Sequence, residues 1–358
     1  MKKIFLLLMI VFCIASIALM GIGCNEDPII EDPEEEDPIG EDPFEEAPVE
    51  EDPEEEEPAV IGDIKIFLEP GDKLSEFSFS IHAGALKAAE EAGNVEIIKD
   101  ASGTAAVDEN ISILEQAITA GYDGIICMPY IPDDFEKPIK EAINAGIPVA
   151  TLQTKPLDDS AAIGYAGPDQ IGYANAAALW IGEEMGGKGK VQIQFGGTSD
   201  QEKLISEEFQ RTINEKYPDI VVFDDVLTLD PAKAEEAVSN IIQEEPDINA
   251  FVGFGAASYG AMTAKICEEQ GILDEVIILG IDPLKSNLDE LKADRIQGII
   301  DQGQFACGYV CVKMILNYLK DGDTGYDKFY VHPNKIVTVD DISEYQDIVD
   351  STAKLMGN

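Results

Sequence analysis

Gly124-Ile125-Ile126-Cys127, a helix-patterned run ending at Ala145, and then Gly146-Ile147-Pro148-Val149-Ala150-Thr151 decide the fold of this 358-residue chain. The first and last pieces are short, unbroken apolar runs with no polar alternation, as expected of strands covered on both faces. The piece between is amphipathic, and Gly146 stands where a helix stops. Strand, helix, strand in that order is a βαβ unit, which places its strands side by side and parallel. The pattern repeats outward. Upstream stand Ile64 to Leu68, a helix to about Gly93, Val95 to Ile98 and a helix to about Ala120. Downstream a second series follows, with strands at Lys190 to Gln194, Ile220 to Phe223, Ala250 to Phe254, Val276 to Gly280 and Gln297 to Ile300. Helices are expected at Asp169 to Met185, Gln201 to Lys216, Ala232 to Glu244, Tyr259 to Gln270, Leu288 to Ala293 and Phe305 to Leu319, and Tyr330 to Val339 reads as a late extended stretch. The class is α/β, two similar lobes each built on a doubly wound parallel sheet.

Bulk properties narrow the function. A formal net charge of −47 excludes nucleic acid as a partner, because nothing here neutralises phosphates. Two histidines leave little scope for histidine-based catalysis or a typical zinc site. No metal-type cysteine pair occurs, and Cys127, Cys267, Cys307 and Cys311 read as buried apolar thiols. Neither a catalytic constellation nor a cofactor or metal motif is present, so the chain reads as no enzyme.

The amino end carries an address. Lys2 and Lys3 precede an apolar run from Ile4 to Met20, followed by Gly21-Ile22-Gly23-Cys24. Positive flank, hydrophobic stretch and small residues form a secretory signal, and the cysteine resembles the lipobox of bacterial lipoproteins. Gly21 stands where that pattern favours Leu, Val or Ile; plain secretion and an uncleaved anchor are the alternatives. From Asn25 to Pro58 a Glu-Asp-Pro-x-x unit repeats, with 19 acidic residues and no basic one. Like-charge repulsion and regular proline keep such a segment extended, about 3 Å per residue. The expected organisation is a signal peptide at 1–23, a lipid-anchored tether at 24–58, lobe one at 62–165 plus 303–332, and lobe two at 166–302 plus 336–358.

Four phrases give the body a family likeness: Ala145-Gly146-Ile147-Pro148-Val149, Gly196-Gly197-Thr198-Ser199, Pro246-Asp247-Ile248-Asn249-Ala250 and Ile278-Leu279-Gly280-Ile281-Asp282. In this order the chain resembles the type 1 periplasmic binding proteins of ABC transporters, nearest the ribose-binding branch. The resemblance implies three crossings between lobes, a three-stranded hinge, near Tyr165 to Pro168, Gln302 to Gln304 and Pro333 to Ile336. It also implies a monomer on the outer face of the cytoplasmic membrane or in the periplasm, handing a small ligand to a membrane ABC permease.

Ligands of open α/β sheets bind beyond the carboxyl ends of the strands. That rule selects Glu76 and Phe77 after the first strand, Tyr130 after the third and Gln153 after the fourth. In lobe two it selects Ser199, Tyr259 and Asp282, with Gln302 at a crossing. Asp282 matches a family aspartate that accepts hydrogen bonds from sugar hydroxyls; its other reading is a helix N-cap. Gln302 matches a family glutamine at the ligand, and Phe77 one of two sandwiching aromatics, with Ser78 in place of the second. The arginine-bearing positions of the ribose branch are replaced: Gln153-Thr154 stands for an Asp-Arg pair, and Lys203, Leu204 or Ile205 for a second-lobe arginine. Without those forked donors, a neutral, sugar-like polyhydroxylated ligand fits better than ribose or an anion. A receptor reporting to a sensor kinase or chemoreceptor, or a surface protein without transport, are the rival functions.

Overall fold

The computed structural model describes residues 63–156, 158, 161–195, 200–227, 231–255 and 258–357. The proposed signal, Cys24 and the acidic tether lie outside them, as does Ser199. The first lobe begins with β1 (Ile64–Glu69), α1 (Glu76–Ala92), β2 (Val95–Lys99), α2 (Val107–Ala120), β3 (Gly124–Cys127), α3 (Pro132–Asn144), β4 (Val149–Leu152) and β5 (Gly164–Pro168). The second runs α4 (Gln170–Glu184), β6 (Lys188–Phe195), α5 (Asp200–Lys216), β7 (Asp219–Leu227), α6 (Pro231–Glu244), β8 (Ala250–Gly253), α7 (Ser258–Gln270), β9 (Ile277–Ile281), α8 (Lys285–Lys292) and β10 (Gly298–Asp301). Then α9 (Gln304–Asp321) and β11 (Phe329–His332) return to the first lobe, and β12 (Lys335–Val337) and α10 (Gln346–Met356) follow.

The sheets have the orders β11-β5-β4-β3-β1-β2 and β12-β10-β9-β8-β6-β7, six strands each. All pairings are parallel except β10 with β12. The unalternating apolar runs are the central strands: β3, β4, β8 and β10 are buried along their whole length. Each sheet carries an apolar cluster on both faces, so each lobe is a helix–sheet–helix sandwich. The four cysteines are buried free thiols, and Trp180 packs against the second lobe's core.

The chain leaves the first sheet after Pro168, leaves the second after Asp301, and returns between His332 and Lys335. The stretch from Tyr330 to Val339, which reads as one extended segment, is therefore two strands in two different sheets. Beyond it the chain forms a 3₁₀ turn at Val339–Tyr345 and then α10, neither apparent from the pattern.

One half-buried group, with both ring nitrogens buried, has a clear pH signature. Neither ring nitrogen of His82, on α1, has a hydrogen-bond partner. Burial first, and then the charge of Lys99, pushes its pKa down to about 4. Below its ordinary value the unfolded chain binds a proton that the folded chain refuses, so this group removes stability as pH falls toward 4. Buried Glu69, pushed up to about 7, acts in the opposite direction over the same range. Comparison with His82→Met isolates the histidine. Denaturant melts should show the variant gaining on the wild type as pH falls from about 6.5 to about 4; a constant gap would show that the ring is not held neutral.

Candidate ligand-binding cleft

In each sheet the order reverses beside the first strand of the lobe, between β1 and β3 in one and between β6 and β8 in the other. Loops leaving the carboxyl ends at such switch points form the crevice of a doubly wound fold. On the first lobe the loop after β1 is folded by its own side chains. Asp72 Oδ1 accepts from the backbone N–H groups of Leu74 and Ser75, both at 2.7 Å. Ser75 then caps α1 by accepting from Ser78 N–H at 3.2 Å. Glu76 is thereby fixed as the first residue of the helix, and its Oε2 accepts from Ser286 Oγ, on α8 of the other lobe, at 2.8 Å. The two lobes are thus tied across the crevice.

Deeper in, four polar side chains form a line through the lobe junction. Gln153 follows β4 with a φ of 60°, and its backbone is held by Ala166 O at 2.9 Å and by the Tyr165 hydroxyl, which donates to its carbonyl at 3.1 Å. Its Nε2 donates to the carbonyl of Gln302 at 3.4 Å. Gln302 Nε2 in turn donates to Asp282 Oδ1 at 2.8 Å, and Gln304 Nε2 donates to the same oxygen. Oδ2 receives neither amide. Asp282 is not the helix N-cap, a position taken by Leu284. It sits at a φ of 69°, held by its own N–H to Ile300 O at 2.8 Å and by Asn287 Nδ2 on its carbonyl. Among the described residues, Gln153 and Asp282 are two of the four non-glycine residues with positive φ. Such strain, where surrounding bonds over-determine it, clusters at binding sites. Burial pushes the Asp282 carboxyl up to about 7, against the two glutamine donors, which favour its ionised form.

The hinge beside this line is itself braced. Asp301 Oδ1 accepts from Gly303 N–H at 2.8 Å, and Oδ2 accepts from the Tyr345 hydroxyl at 2.7 Å and lies 3.1 Å from His332 Nε2. Burial disfavours its charge, yet these partners hold it below the usual carboxylate range. The second and third crossings are joined through that carboxylate.

The remaining sequence candidates lie differently. The Tyr130 hydroxyl is taken up inside lobe one, donating to Ala105 O at 2.8 Å and accepting from Asn110, with its ring against Phe135. Phe77 is half-buried against the lobe-one core. Tyr259 is buried, 2% exposed. Gln304 and Ser286 were not singled out in the sequence, although Gln304 lay within the crossing identified there. Both arginines of the chain are spent elsewhere: Arg211 pairs with Glu208 and Glu215 along α5, and Arg295 with Glu290 and Glu268. Among the described residues no group of side chains is arranged to hold a metal ion.

A family model described as periplasmic binding protein domain matches residues 71–324. The xylose/arabinose-binding protein of Sulfolobus acidocaldarius is 25% identical over 251 residues, 66% of this chain and 61% of that protein. The xylitol-binding protein of Mycolicibacterium smegmatis is 26% identical over 253 residues, 68% of this chain and 69% of that one. An ABC transporter solute-binding protein from Burkholderia graminis, solved in complex with D-arabinose, superposes with a TM-score of 0.72 at 24% identity, covering 79% of this chain and 98% of its own.

Proposed function

The chain belongs to the periplasmic binding protein domain family, a family of non-enzymatic solute-binding proteins, and from that premise we propose that it captures a small neutral polyhydroxylated ligand by hinge closure and delivers it to an ABC importer. The observation that carries the reading is the polar line Gln153–Gln302–Asp282–Gln304, which joins the lobes where a ligand would have to bridge them. A ligand that touches both lobes binds the closed form better and shifts the equilibrium by that difference. Amide and carboxylate groups suit hydroxyls, and the arginines, paired elsewhere, leave no forked donor for an anion. The two curated relatives direct the choice toward a five-carbon sugar or its polyol. Native mass spectrometry of the purified chain, followed by calorimetry with D-xylose, D-arabinose and xylitol, tests this. The expected result is a bound mass in the pentose range and saturable heat for at least one of the three. Binding of sugar acids in preference to all of them would refute a neutral ligand.

The anchor and the tether are part of the same proposal. Cys24 carries lipid, and the acidic repeat holds the lobes near, but off, the membrane, which raises their effective concentration at the permease. Labelling with an alkyne fatty acid should mark the wild-type protein and fail on Cys24→Ser; equal labelling of both would remove the anchor from the account.

A further inference from the structure

Lobe one's α1 meets lobe two away from the ligand crevice as well as at it. At its amino end Glu76 reaches Ser286. Along its carboxyl half it lies against α10, with Ala83, Leu86 and Lys87 on one side and Ser351, Lys354 and Leu355 on the other. Each helix is fixed to its own lobe. α1 is locked to α9 by backbone approach at Gly84 and Gly308. α10 and the 3₁₀ turn before it pack through Ile342, Tyr345, Ile348 and Val349 into the second lobe's core, and the Tyr345 hydroxyl donates to Asp301. A hinge rotation of one lobe against the other must therefore slide or part α1 and α10. Beside their contact the two helices leave a solvent-open groove of about 570 Å³, lined by these residues and by Glu90, Gly93 and Val95.

We infer that the α1–α10 seam sets the balance between open and closed forms from outside the ligand site, with Leu355 and Ser351 as its positioning residues. This rests on the hinge-closure reading and adds where closure is tuned. The arrangement in which α1 meets α10 is also the one in which Glu76 reaches Ser286 across the crevice, so the seam contact belongs to the closed form and raises its fraction in the free protein. Apparent ligand affinity scales with that fraction. The open groove leaves room on Ser351's side of the seam for a larger side chain. Cutting the contact lowers affinity, and extending it into the groove raises it, with no ligand-touching residue altered.

The test uses the full chain without ligand. Nitroxides on unnatural ketone side chains replace exposed Lys137 on α3 and Lys265 on α7, and double electron–electron resonance reads the distance between lobes. Leu355→Asp should lower the closed fraction at least threefold, and Ser351→Leu should raise it by a similar factor. The two should shift D-xylose, D-arabinose or xylitol affinity in the same opposite directions. A purely structural role for α10 would not give shifts of opposite sign. Two distances with populations unchanged in both variants, or moved the same way by both, would overturn the inference alone. A single distance common to all three proteins would overturn hinge closure and the inference together.

Discussion

Asp282→Asn is expected to weaken ligand binding by about a hundredfold and to abolish its pH dependence. The first effect follows from charge. Hydrogen bonds to an ionised acceptor contribute about 1.5–3 kcal/mol each, so losing the charge removes most of one such bond's worth and more. The variant also meets a conflict of its own. Gln302 and Gln304 both donate to Oδ1; an asparagine amide satisfies them with its oxygen only by placing an NH₂ donor where the aspartate offers the acceptor Oδ2. The second effect follows from the carboxyl's position near pH 7. Burial pushes its pKa up to about 7 in the free protein, while donating hydroxyls of a bound polyol favour the ionised form. Binding therefore expels a proton below that pH. Affinity should rise as pH rises through about 7, by up to about tenfold per unit on the acid side, and level off above. Calorimetry from pH 5.5 to 8.5, in buffers of different ionisation enthalpy, reads both affinity and proton release. Affinity constant across that range, or a variant within threefold of wild type, would remove Asp282 from the ligand contacts.

The fold was legible because its strands are fully covered. Ile125 to Cys127 and Val149 to Leu152 are buried on both faces, and such strands lack the alternation that would mark a half-solvated sheet. The place of Asp282 in the fold was legible for a related reason, since the residue following a buried strand falls at the carboxyl edge by geometry alone. What stayed hidden depends on contacts far apart in sequence. Ser286 matters only because Glu76, 210 residues away, reaches it, and no local pattern announces that pairing. Tyr330 to Val339 reads as one stretch because both halves have strand-like composition; which sheet each half joins is decided by the crossing at Pro333-Asn334. Glu69 ends a buried strand and is itself buried, accepting from the Gly71 and Met128 N–H groups. A carboxylate in that position reads as a loop residue until its backbone donors are known. Tyr130 shows the converse. Its position after β3 is right for a cleft, but Ala105 and Asn110 engage its hydroxyl inside the lobe.

Gly84→Ala and Gly308→Ala should each cost lobe one roughly 3 kcal/mol or more. A Cβ at Gly84 would stand 1.9 Å from the carbonyl oxygen of Phe305, and one at Gly308 would stand 2.0 Å from that of Ile81. Both obstacles are backbone, so no rotamer change relieves them; the helices must move apart. Around the contact the facing surfaces are small and buried, with Ala85 and Ala88 on α1 and Cys307 and Cys311 on α9. Separation would therefore open voids along the whole seam and forfeit dispersion contacts on both sides. In a body of this size such a loss lowers Tm by about 6–12 °C. The consequence reaches the site. α9 begins at Gln304, which bonds Asp282, and α1 begins at Glu76, which bonds Ser286. A shift of either helix misplaces both cleft contacts, so ligand affinity should fall along with Tm. Substitution at Gly93 or Gly121, where nothing lies within 4 Å of a Cβ, provides the control. Alanine there costs only the left-handed backbone term, about 1–2 kcal/mol, and should leave affinity unchanged. If Gly84→Ala melted no lower than Gly93→Ala, the close approach of α1 and α9 would not be what holds the cleft residues in register.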